Sequence, residues 1–212
     1  MITKRIYEQR FDNRKERNKL WKILVNNFFQ KFIDKNDIVL DFGCGYGEFI
    51  NNIKSKKRYA CDIDRSFKTF LDKNVIFIQN NIQKINLPAN SVNKIFISNV
   101  FEHIGRQDIP RLIEELYRIL KANGEVLILQ PNIRFCAKDY WMFFDHITPI
   151  DDRALMEIFS VYNFKLKKKI LRFLPYTTKS KIPKFSFLIK LYLNLPLAWR
   201  FLGKQSFLIF KK

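Results

Sequence analysis

Glycine is scarce in this chain, with 6 among 212 residues, yet three of them stand at alternate positions, Gly43, Gly45 and Gly47. Cysteine is nearly absent. Cys44, Cys61 and Cys136 are an odd number at spacings that match no zinc or redox motif, which argues against a disulfide framework and for reduced, buried thiols. Histidine occurs twice, at His103 and His146. The opening MITKRIYEQR lacks the apolar stretch of a secretory signal, so a cytoplasmic protein is expected. No apolar run reaches the roughly 18 to 20 residues that span a bilayer, and there is no internal repeat or low-complexity linker.

Acidic residues number 20 against 39 Lys and Arg, a net charge of +19. Such a charge attracts polyanions: nucleic acid, anionic lipid or phosphorylated substrates. Abundant Lys, Asn, Ile and Phe beside so little Gly is also what codon bias produces, so charge alone does not decide the function. The basic residues are spread from end to end without a recognisable nucleic-acid module, which disfavours nucleic acid as a partner.

An apolar content of 47% supplies one sizeable core, and a single domain over 1–212 is expected. Residues 1–36 read as a packed helical segment, with Leu20, Trp21, Leu24, Val25, Phe28, Phe29 and Phe32 at three- and four-residue spacing. Through the core, 37–174, strands at 37–42, 57–64, 75–80, 92–98 and 124–130 alternate with helical patterns near 48–54, 66–73 and 108–121. This implies βαβ units and a parallel sheet covered on both faces. The helix over 108–121 is bounded by Asp108 and Pro110 at its start and Asn123-Gly124 at its end. A capped helix over 151–164 and a strand over 165–174 follow. Residues 175–204 read as a helical insert or lid interrupted by prolines, and 205–212 as the final strand.

The stretch VLDFGCGYGEFI places an apolar strand ending in Asp41 before the three glycines, a turn in which backbone can come close to a ligand. Dinucleotide turns want a third glycine at position 48, where this chain has Glu48. A ligand with positive groups and no phosphates at the turn suits Asp41 and Glu48 better, and S-adenosylmethionine, with an ammonium and a sulfonium, meets that condition. Asp62, 21 residues after Asp41, ends the second strand, where an acid accepts the two hydrogen bonds of a ribose diol; Asp64 is the alternative.

With VLDFGCGYGEF, YACDID, NNIQKINLPANSVNKIFISNVFEHI and LKANGEVLILQPN in this order, residues 38–132 resemble the class I S-adenosylmethionine-dependent methyltransferases. The resemblance implies a Rossmann-like, doubly wound α/β fold whose seven-stranded, mostly parallel sheet has its last strand antiparallel. It also implies that Asp41, Gly43, Gly45 and Gly47 hold the methionine moiety, that Asp62 and the adjacent Ile63 meet the ribose, and that Asn81 and Ile82 meet the adenine. Asn99 would lie near the methyl. SNVFEHI is similar to the Glu-His segment of small-molecule O-methyltransferases, including those of ubiquinone biosynthesis. Some of these carry an acid where Asn99 stands and hold magnesium with the Glu-His pair; the departure leads to an expectation of no metal. The C-terminal part looks like that of bacterial methyltransferases found among surface-polysaccharide biosynthesis proteins, which implies a sugar or glycan acceptor. A small-molecule or lipid acceptor of quinone type is the alternative.

A hydroxyl acceptor must lose a proton during the transfer, and histidine is the usual base near neutral pH. His103 and His146, each preceded by an acid, are the candidates, with Glu102 as partner and His146 preferred because its segment faces the substrate. The base-amino methyltransferase turn is missing after the fourth strand, and no cysteine is placed to attack cytosine. For 175–204 two readings stand. One puts Phe185, Phe187, Leu188, Leu191 and Trp199 in the core. In the other, Arg172, Tyr176, Lys179 and Lys181 face a phosphate-bearing or lipid-linked sugar, and the apolar face rests on an anionic membrane surface.

Overall fold

The computed structural model describes residues 2–11, 13–79, 84–176 and 185–212. Seven strands form one sheet: β1 (Ile38–Phe42), β2 (Lys57–Asp62), β3 (Val75–Gln79), β4 (Val92–Ser98), β5 (Leu120–Pro131), β6 (Lys165–Ile170) and β7 (Gln205–Lys211). Their order is β3-β2-β1-β4-β5-β7-β6. Strands β1 to β5 pair parallel, and β7 runs antiparallel between β5 and β6. This is the expected mostly parallel α/β sheet with its last strand reversed.

Side chains alternate across a strand, so each central strand feeds two cores. Leu40, Ile95 and Ile97 face one side with Leu208 and Phe210. That side is covered by α3 (Ile109–Ile119), through Leu112, Ile113 and Leu116, and by α5 (Asp152–Val161), through Leu155 and Phe159. Val39, Phe96, Leu127, Phe207 and Ile209 face the other. There α2 (Arg14–Asn27) contributes Trp21, Leu24 and Val25, and α6 (Ser186–Leu193) contributes Leu193. The remaining helices are α1 (Ile2–Arg10), α4 (Ile133–Tyr140) and α7 (Pro196–Leu202). No helix among the described residues is long and apolar enough to cross a membrane.

Strand order reverses at β1, which pairs with β2 on one side and β4 on the other. In open α/β sheets the crevice beyond the carboxyl ends at such a point is where ligands bind. Here the glycine turn leaves β1 and Asn99 leaves β4 side by side.

Several elements depart from the sequence expectation. The N-terminal segment is two α-helices and a short 3₁₀ helix, Phe29–Phe32; Asn13 interrupts it by accepting from the Glu16 amide at 3.1 Å, the start of α2. Residues 48–52 form turns, and 66–73 contribute only a 3₁₀ helix, Arg65–Phe70. Asparagine side chains compete for the backbone there: Asn52 Nδ2 donates to the Glu48 carbonyl at 2.7 Å, and Asn51 bridges the Phe70 carbonyl and the Asp72 amide. Asn123-Gly124 lies within β5 rather than closing α3, which passes into β5 at Leu120. The last carbonyls of α3, on Arg118 and Ile119, accept from the Asn90 and Ser91 amides, so no glycine cap is required.

Candidate active site

Gly43, Gly45 and Gly47 all have positive φ, at 75°, 49° and 73°. A Cβ at Gly43 would lie 2.4 Å from Val100 Cγ2, and one at Gly47 2.5 Å from Leu71 Cδ2. Handedness at all three positions, with crowding added at Gly43 and Gly47, favours glycine. The turn is fixed by its own bonds: the Gly43 and Cys44 amides donate to the Cys61 carbonyl at 2.8 and 3.0 Å, and the Gly45 amide donates to Asp62 Oδ2 at 2.9 Å. Asp62 Oδ1 accepts from the Asp64 amide at 3.1 Å. The end of β2 therefore shapes the turn as well as bordering it.

Acids concentrate under this turn. Asp41 and Glu48 are buried, and Arg17 of α2 forms an ion pair with Glu48. Burial, then the charges of Glu48 and Asp62, push the Asp41 carboxyl well above the usual carboxylate range, against one hydrogen bond from the Ile50 amide. Burial also raises Asp62, with the Asp64 and Gly45 amides opposing. A cationic ligand relieves this repulsion. The donor set thus fits the sulfonium and ammonium of S-adenosylmethionine, and Glu48, in a turn rather than a helix, is a buried carboxylate paired with Arg17.

A cavity of about 480 Å³ opens beside the turn. Gly43, Asn99, Glu102, His103 and His146 line it; Asp41, Gly45, Gly47, Asp62 and Ile63 do not. The predicted residues therefore divide into those that line this cavity and those around the turn that do not. Asn81 and Ile82 lie outside the described residues. Most of the remaining wall is apolar, from Trp21 and Leu24 of α2 to Leu188, Ile189 and Leu195 around α6. Asn99 adopts a left-handed φ of 53° and donates from Nδ2 to Ser98 Oγ at 2.9 Å.

The histidines meet edge to face, with ring centroids 4.9 Å apart. His103 Nδ1 lies 2.9 Å from the Asp145 carbonyl oxygen, which only accepts, so Nδ1 carries the hydrogen and Nε2 presents a lone pair. That Nε2 is 3.9 Å from Glu102 Oε1. Glu102 is buried, accepts from Gln130 Nε2 at 2.8 Å, and has its carboxyl raised chiefly by burial. Its carbonyl accepts from the Ile147 and Thr148 amides, which ties the two histidine segments together. Burial, then the charge of His103, lowers His146 from 6.5 to about 4. Tyr176 OH approaches His146 Nδ1 at 3.5 Å.

Sequence reasoning missed Arg10, which ends α1, pairs with Asp145 and lies over the Phe143 ring at 4.2 Å; it also missed Arg17 and Gln130. No local pattern marks these residues, because each acts on a distant segment. Arg172 does not face the cavity. Its Nε donates to the Gly203 carbonyl at 2.8 Å and a terminal nitrogen to the Phe201 carbonyl at 2.9 Å, closing the end of α7. Lys179 and Lys181 lie outside the described residues. Phe185 and Phe187 are 68% and 71% exposed, and Leu188 and Leu191 are exposed too, against the core assignment; Trp199 is partly buried. The three cysteines are free and buried, as expected.

Glu102, His103 and His146 also bring one ligand atom each to within 4.8 Å of one another. A carboxylate with two imidazoles is a donor set that accepts a divalent transition metal. The same convergence has the chemistry that proton transfer requires.

The sequence signature described as "Methyltransferase domain" matches residues 13–169. An uncharacterised protein of Methanocaldococcus jannaschii is 28% identical over 109 residues, 51% of this chain and 47% of that protein, so the match spans about half the length of this relative. Among solved structures, an S-adenosylmethionine-dependent methyltransferase from Archaeoglobus fulgidus superposes with a TM-score of 0.67 at 18% identity, covering 92% of this chain and 94% of its own. Another, from Thermotoga maritima, gives 0.69 at 16% identity over 98% of both chains. The sheet, the glycine turn and the matched signature agree: the chain belongs to the methyltransferase domain family, within the class I S-adenosylmethionine-dependent methyltransferases.

Proposed function

We propose that this enzyme methylates a hydroxyl group of an acceptor seated in the cavity, and that the observation carrying this reading is the histidine pair beside Gly43 and Asn99. The bound cofactor supplies an electrophilic methyl group. Asp41 and the turn hold the charged methionine end, Asp62 the ribose, and Asn81 and Ile82 the adenine. His103 Nε2 takes the acceptor proton, because its Nδ1 is held at the Asp145 carbonyl and its ring packs edge to face with His146. Glu102 steadies the imidazolium that forms. This favours His103 over His146 as the base.

The acceptor is a sugar or glycan precursor of a bacterial surface polysaccharide, handled in the cytoplasm. A lipid or quinone-like acceptor is the second reading, and the apolar cavity wall favours it. Incubating the protein and labelled S-adenosylmethionine with separate glycan, lipid, small-molecule and RNA fractions tests both. Label in the glycan or lipid fraction is expected; label confined to RNA would overturn the reading.

A further inference from the structure

Helices α6 and α7 repeat one surface pattern. Phe187, Lys190 and Leu191 stand at i, i+3 and i+4 in α6, and Leu197, Arg200 and Phe201 do so in α7, so each trio shares a helix face. Leu197 and Phe201 are 68% and 70% exposed, matching Phe187. Neighbouring Phe185, Leu195 and Leu202 are exposed as well. This is too much large apolar surface for ordinary scatter, and cations sit inside it on long stems that let apolar neighbours sink while the charge stays outside.

Charge complements the apolar face. No Asp or Glu occurs after Glu157, while thirteen Lys and Arg follow it. Within α6 and α7 themselves, Lys190 and Arg200 stand among the apolar side chains and neither helix holds an acidic residue, which fits an anionic lipid interface and opposes a second copy of itself. The helices are too short to cross a bilayer and suited to lie on one.

The same helices form a wall of the acceptor chamber. Leu188, Leu191, Leu195 and Leu202 are each exposed and each line the cavity, making an apolar rim continuous from the surface to the interior. We propose that α6 and α7 dock this rim on the headgroup region of an anionic bilayer and that the acceptor enters from there, carrying an apolar tail. Docking stands on the surface alone; the tailed acceptor rests on the methyltransferase reading of the cavity.

Sedimentation of the full chain with vesicles of phosphatidylcholine, alone or mixed with phosphatidylglycerol, tests docking. Binding to the anionic vesicles, weakened by salt, is expected, with little to the neutral ones. Phe187→Ser with Phe201→Ser reduces it at least about tenfold, and Lys190→Glu with Arg200→Glu also abolishes the preference for anionic lipid. Circular dichroism and S-adenosylmethionine titration of these variants remain unchanged, which separates failure of docking from failure of the fold or of cofactor binding. Equal binding to both vesicles, binding unaffected by the variants, or self-association removed by the two serines without vesicle binding would overturn the proposal. If docking holds while label from S-adenosylmethionine enters only water-soluble acceptors, the tailed acceptor is wrong.

Discussion

His103 and His146 present their rings edge to face at 4.9 Å, and a charge on the first opposes a charge on the second. His103→Gln is expected to lower kcat by about 10² to 10⁴, the usual contribution of a positioned base, with KM nearly unchanged. His146→Gln, which removes a neighbour of the base, costs about tenfold. Steady-state kinetics with the acceptor found by fraction labelling checks both, and near-normal turnover of His103→Gln would remove it from the role.

Acid should act on stability through His146. Unfolded, this imidazole titrates near 6.5; folded, near 4. Between these values the unfolded chain binds the extra proton, so the native state loses stability as pH falls from 6.5 to 4 and gains nothing from this group above 6.5. Thermal unfolding followed across that range should show the decline, and His146→Gln should flatten it. An unaltered slope in the variant would assign the decline to other groups.

Asp62 bonds the Gly45 amide through one oxygen and the Asp64 amide through the other. Asp62→Ala removes the proposed ribose acceptor and the bond to the turn, and S-adenosylmethionine should bind about a hundredfold more weakly in calorimetry, as expected for two charged hydrogen bonds. Because Asp41 titrates above the ordinary carboxylate range before the cation arrives, wild-type affinity should rise with pH as Asp41 ionises, with protons released on binding. Asp41→Asn should lose that pH dependence along with affinity.

The cofactor half of this protein was legible because its signals are local. Three alternate glycines after a buried strand, and an acid at the end of the next, are each fixed by neighbours within β1, β2 and the turn that joins them. The acceptor half was less so. His103 and His146 stood out by rarity, but their meeting depends on the Glu102 carbonyl receiving the Ile147 and Thr148 amides, a contact across more than forty residues. Arg10 and Arg17 act from helices far along the chain and look like any other surface cation. The core assignment of Phe185 and Phe187 failed for a different reason: apolar residues in a short helix read as buried whatever covers them, and sequence carries no record of an uncovered face.

Metal dependence separates two uses of one cluster. Glu102, His103 and His146 converge within 4.8 Å, but the neighbouring position that would add a second acid is Asn99. Proton transfer needs only the imidazole lone pair, so chelation by EDTA is expected to leave turnover within about twofold, well inside the 10² or more that loss of a base costs. Loss of activity restored by manganese or zinc would recast the three side chains as ligands, and His103→Gln would then abolish metal binding as well.

Phe28 joins the N-terminal helices to the end of the sheet. Its ring stacks on Phe173 at 4.1 Å and meets Phe207 and Trp199 edge-on at 5.4 and 5.9 Å, and it is 1% exposed. Phe28→Ala leaves a hole bounded by rigid rings from three segments, so little collapse follows, and a loss of about 3 to 5 kcal/mol is expected in urea unfolding. Phe28→Leu keeps much of the volume and should lose less. Because Trp199 belongs to α7, its fluorescence should shift toward that of a wetter indole in Phe28→Ala while the far-ultraviolet spectrum stays native. A loss of less than about 1 kcal/mol, below the range for burying a phenylalanine, would mean that α7 is held by the Tyr192 and Arg172 hydrogen bonds instead.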